Sequence, residues 1–117
     1  MAFERYTKTN LRMGEPQISI WSRGQIGLNS GAIEKYKLNN FNYAILYFDK
    51  DTKTVGVMMT NDKKEPGAMK LVKRKSGGFS FSAQSFLKYY EIDYSKTVRY
   101  DLTYDKEENM YTFQLEQ

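Results

Sequence analysis

Ser22-Arg23-Gly24-Gln25-Ile26-Gly27-Leu28-Asn29-Ser30-Gly31-Ala32-Ile33-Glu34-Lys35-Tyr36-Lys37-Leu38 runs through a turn, a strand and a helix without a break. Ile18 and Ile20 before the turn, and Ile26 and Leu28 after it, alternate with polar or small residues. That period of two marks strands buried on one face. Asn29 or Ser30 then supplies a side-chain oxygen for the free amides of a first helical turn. Ala32, Ile33 and Tyr36 follow at helical spacing on one side, and Asn39-Asn40 ends the helix. Further out, Ala44 to Phe48 and Val55 to Met59 are two more strands, joined as a hairpin by Asp49-Lys50-Asp51-Thr52-Lys53.

The second half of the chain restates this plan. At an offset of 53, Gly24 matches Gly77, Ile26 matches Phe79, Leu28 matches Phe81, and Lys35-Tyr36 matches Lys88-Tyr89. Beyond the next turn the offset becomes 56 and pairs Val55 with Tyr111 and Val57 with Phe113. Glu15-Pro16 and Glu65-Pro66 punctuate the two starts. The repeat predicts an arm (1–16), a first unit (17–62), a linker (63–68) and a second unit (69–117). In the second unit, a strand is expected over Met69 to Lys75, another over Phe79 to Phe81, and a helix from a Ser82 cap through Glu91. A half-buried strand carrying Val98, Tyr100, Leu102 and Tyr104 comes next, then a turn into Tyr111, Phe113 and Leu115. A unit of ~45 residues buries too little apolar surface to stand alone. The expected fold is therefore α+β and β-dominated, with two pseudo-symmetric strand-strand-helix-hairpin units sharing one barrel-like core. A single twisted antiparallel sheet with both helices on one face is the alternative.

Composition narrows the chemistry. The 117 residues contain no Cys and no His. Disulfides, thiolate nucleophiles and Cys-ligated metals are excluded, as are triads built on His. The hairpin-turn carboxylates, Asp49 and Asp51 or Asp105, Glu107 and Glu108, lack the spacing of a calcium loop. Gly77-Gly78 is too short for a phosphate-binding glycine loop. No enzyme, cofactor or metal site is expected. The unbroken apolar runs are far short of the ~20 residues of a spanning helix. Residues 1–15 hold no apolar block, so neither a membrane partner nor a secretory signal is expected and the cytoplasm is the expected compartment.

Net charge is +4 and uneven. Residues 63–75 hold Lys63, Lys64, Lys70, Lys73, Arg74 and Lys75 against Glu65 alone, whereas residues 76–117 are net acidic. Arg12, Arg23, Lys70, Lys73, Arg74 and Lys75 are the candidates for phosphate contact. Gln25 is the candidate for reading a base edge, since its amide both donates and accepts. The repeat puts Arg23 and the Arg74-Lys75 pair in equivalent turns. Trp21 adjoins the Arg23 turn, and aromatic faces among Lys residues also suit single strands.

The stretch Arg23-Gly24-Gln25-Ile26-x-Leu28, followed by the apolar helix positions Ala32, Tyr36 and Leu38 and by Ala44 and Leu46 on the next strand, resembles the AbrB/SpoVT/MazE swapped-hairpin family. Two units in one chain look like that family's tandem, MraZ-like arrangement. The resemblance implies interleaved hairpins and a DNA-binding transcriptional regulator or antitoxin-like protein acting on double-stranded DNA. Ile33 replaces the family's basic helix residue, so that contact is not carried over. The competing reading is a protein-binding or structural accessory module that pairs through its edge hairpins, and self-association also stays open.

Overall fold

The alternation around the Arg23 turn folds as two strands. In the computed structural model, which describes residues 2–3, 15–75 and 77–115, Gln17–Ile20 (β1) and Gln25–Leu28 (β2) pair antiparallel with Ser19 opposite Gly27. Asn29 then caps Ser30–Lys35 (α1): its Oδ1 accepts from the amides of Ala32 at 2.9 Å and Gln17 at 3.0 Å. Its Nδ2 donates to the Glu15 carbonyl at 2.8 Å. One side chain thus fixes the helix start against the entry of β1. Tyr43–Asp49 (β3) and Thr54–Thr60 (β4) form the expected hairpin. Asp49 closes its turn by accepting from the amides of Asp51 and Thr52, with Lys53 at φ 57°.

Past the loop, Met69–Lys70 (β5), Val72–Lys73 (β6), Phe79–Ser82 (β7), Gln84–Tyr89 (α2), Val98–Asp101 (β8), Thr103–Asp105 (β9) and Met110–Gln114 (β10) complete the chain. The register Ser19–Gly27 recurs as Val72–Ser80, and Ile20–Ile26 as Lys73–Phe79, each 53 residues on. At the 56-residue offset, Asp105 accepts from the amides of Glu107 and Glu108, and Asn109 takes φ 55°.

Three expectations need correction. Ser82 does not cap α2: it stays in β7 opposite Gln25, and Ala83 occupies the cap position without a side-chain bond. The helix ends at Tyr89, short of Glu91. The strands expected over Met69–Lys75 and Val98–Tyr104 are each broken in the middle, at Leu71 and Leu102.

Those breaks decide the architecture. One five-stranded sheet runs β6-β7-β2-β1-β8 (sheet A) and the other β5-β3-β4-β10-β9 (sheet B). The chain crosses between them at Leu71 and Leu102, both buried, whose amides donate to the carbonyls of Asn42 (2.8 Å) and Pro16 (3.1 Å). Closing a barrel requires ladders that continue around the wall at matched tilt and stagger. Here the corner residues leave β5 and β6 only two residues each, and both sheets stay open rather than barrel-like. The single-sheet alternative is likewise not what forms. Pairing of β2 with β7 and of β4 with β10 joins the halves. Ile18, Ile26, Val55, Val57, Phe81 and Leu87 share the resulting core.

Asn29→Ala removes three hydrogen bonds at once, so it should lower unfolding free energy by roughly 1–3 kcal/mol in a urea titration, with Asn29→Asp losing less. At the rim of sheet B, Tyr111 stacks on Tyr36 at 4.7 Å and on Tyr104 at 5.1 Å. Burial raises the Tyr36 and Tyr111 phenols above their ordinary 10.0. The unfolded chain then loses these protons first, so stability is intact below pH ~10 and falls as pH climbs through the folded values. Tyr111→Phe should flatten that alkaline loss in chemical-denaturation curves taken between pH 9 and 11 (~1 unit either side of the free phenol).

Candidate nucleic-acid interface

Register places Val72, Ser80, Gly27, Ser19 and Arg99 side by side across the outer face of sheet A. Their strand neighbours Ile18, Ile20, Ile26, Phe79 and Phe81 point into the core. Three small residues in the middle of this row leave a shallow bed. Trp21 lies in it: a Cβ on Gly27 would stand 2.6 Å from Cη2 and 2.7 Å from Cζ2 of the indole. Gln25 shares that outer face, two residues from Gly27.

The two sheet-A turns are built alike. In one, the Trp21 amide donates to the Gln25 carbonyl and the Gly24 amide to the Trp21 carbonyl, both at 2.8 Å. In the other, Arg74 donates to Gly78 at 2.8 Å and Gly77 to Arg74 at 3.0 Å. Gly24 and Gly77 hold the left-handed φ values of 84° and 92° that close the turns. The residue standing where Arg74 stands is therefore Trp21 rather than Arg23, and the two meet. The Arg74 guanidinium lies 4.8 Å from the indole centroid, and that of Arg23 5.7 Å.

Trp21 is half-buried, and a cation over such an indole gains about 0.5–2 kcal/mol. Two like charges repel by about 1 kcal/mol even at 4 Å in bulk water. The indole therefore offsets the cost of holding two guanidinium groups close together. The site gathers two cations on one ring.

Of the other candidates, Lys73 reaches over the Phe79 ring at 5.9 Å at the β6 edge, and Lys75 is exposed in the Arg74 turn. Lys70 is not with them: it sits on β5 opposite Tyr43, in sheet B. Arg12 lies outside the described residues. Arg99 was missed as a candidate. The alternation of its strand already set it opposite Val98 and Tyr100, but the pairing of β8 with β1 that brings it beside Ser19 is not readable from one strand. Asp101 shares the Arg99 face, whereas Asp105, Glu107 and Glu108 belong to the sheet-B turn.

Elsewhere, the outer face of sheet B holds a cavity of about 400 Å³ lined by Tyr47, Asp49, Gly56, Asp105, Met110 and Thr112, among others. Among the described residues no cluster of three metal-ligating side chains exists. No helix of the described residues is long and apolar enough to cross a membrane. Comparison with protein-family models, curated proteins and solved structures finds no significant match to this chain.

Gly27→Ala forces the indole off its bed. The emission of the single Trp should shift to the red, with a stability loss of about 1–3 kcal/mol. Unchanged emission would mean that the ring does not rest there.

Proposed function

We propose that this chain is a non-enzymatic nucleic-acid-binding protein, a regulator or antitoxin-like protein that binds double-stranded DNA through the outer face of sheet A. The observation that carries the reading is the Arg23–Trp21–Arg74 cluster on that face. Guanidinium and ammonium groups there would neutralise backbone phosphates, and Gln25 would read a base edge from the same face. A cytoplasmic setting, without cofactor, belongs to this reading.

The proposed architecture is a pseudo-twofold pair of swapped hairpins. Supporting it, Gly27 pairs with Ser80, its own counterpart at offset 53, and Gly56 with Thr112, its counterpart at offset 56. A strand that pairs with its equivalent at a shared centre is what a twofold axis through that centre produces. Gly24 also abuts Gln84, the first residue of α2, while Gly77 abuts Ser30, the first of α1. One observation favours the accessory-module reading instead. Tyr47, 41% exposed, lies with Met58 and Met110 on the outer face of sheet B, a surface suited to another protein.

Duplex binding across a salt series tests the proposal. Replacing Lys73, Arg74 and Lys75 by Ala should weaken binding evenly across sequences and reduce the slope of log affinity against log salt by up to about 3. Gln25→Ala should instead alter sequence preference, by roughly 1–3 kcal/mol at the base it reads. Neutralising Asp105, Glu107 and Glu108 should leave affinity equal or higher. If the basic-turn triple variant binds as the parent does, the accessory-module reading takes first place.

A further inference from the structure

Trp21 and Arg74 come from different halves of the chain, yet each occupies the same position in its own turn and they contact across the β2–β7 seam. We infer that Trp21, Arg23 and Arg74 form one composite clamp for a phosphodiester of duplex DNA, with Trp21 as its positioning residue. This deepens the reading above and rests on it.

The argument runs from the bed upward. Gly27, flanked by Ser19 and Ser80, lets the indole lie low against the sheet, so its orientation is fixed by backbone rather than by a flexible neighbour. A guanidinium over an aromatic ring offers its face to the π-system, and its in-plane N–H donors remain for a planar or tetrahedral anion. Two such groups on one ring restrict each other to the same small region of surface. For two guanidinium groups gathered on one ring, the matching ligand is an oxyanion rather than a cation or a neutral peptide. An ammonium in place of Arg74 keeps the charge but loses the planar fork. A clamp therefore distinguishes Arg from Lys, and a merely basic surface does not.

The test uses the full chain and a duplex of about two helical turns, first with the parent protein at ~50 mM salt. Binding with a change in Trp21 emission is expected. Arg74→Lys, an exposed turn substitution that preserves net charge, should bind roughly tenfold more weakly. Trp21→Leu should lose a similar factor, and Trp21→Phe should recover most of it because a ring returns. If the Trp21 variants fail to fold, Arg74→Lys decides alone. Arg74→Lys binding as tightly as the parent overturns the clamp while leaving DNA binding intact. Absence of any duplex binding by the parent overturns both readings. Tighter binding of the single strand than of its duplex also overturns the clamp, because the indole would then be stacking on bases.

Discussion

Gln25–Leu28 and Phe79–Ser82 hydrogen-bond along their length, and that ladder joins the hairpins of the two halves into sheet A. Taken alone, β1 and β2 are four residues each and α1 is six, well below what buries an independent core in water. Pairing β2 with β7 turns two short hairpins into a continuous sheet whose inner face carries Ile18, Ile20, Ile26, Leu28, Phe79 and Phe81. The outer face follows from the same constraint. Gly27 and Ser80 meet at the seam, and because both are small the sheet is low there. An indole from the adjoining turn then has somewhere to lie. The inner face of sheet A and the surface cluster are two consequences of one strand pairing.

What could be read from the chain was whatever is set within a few residues. Period-two alternation located β1 to β4, β7 and β10, and Asn29 capped as its side chain predicts. Asp49 and Asp105 made the turns their side chains favour. What escaped is set by partners far away in sequence. Leu71 and Leu102 look like ordinary strand positions, and only the passage between two sheets makes them corners. Ser82 is as good a cap as Asn29 by residue type, but Gln25 holds it in the ladder.

The candidate site divides along the same line. The basic turns were legible as local charge density, and Gln25 as a polar residue at the turn's exit. Arg99 was not, because its place beside Ser19 depends on β8 joining the edge of β1. Lys70 looked equivalent to Lys73, but three residues of separation span a sheet crossing and put them in different sheets. The Trp21–Arg74 contact needed the hydrogen bonds of both turns before the true correspondence between them became visible.

That correspondence bears on why two units would be joined in one chain. In the proposed pseudo-twofold arrangement, a pair of identical units would face Trp against Trp, or Arg against Arg, across the seam. The first exposes two indoles and supplies no charge. The second brings together two cations with no ring to hold them. Only when the two copies diverge independently can one turn supply the aromatic face and the other the guanidinium that rests on it. Covalent linkage also removes the concentration dependence that assembly from separate units would carry. Within that proposed arrangement, duplication followed by divergence would yield a surface that a homodimer of either unit lacks.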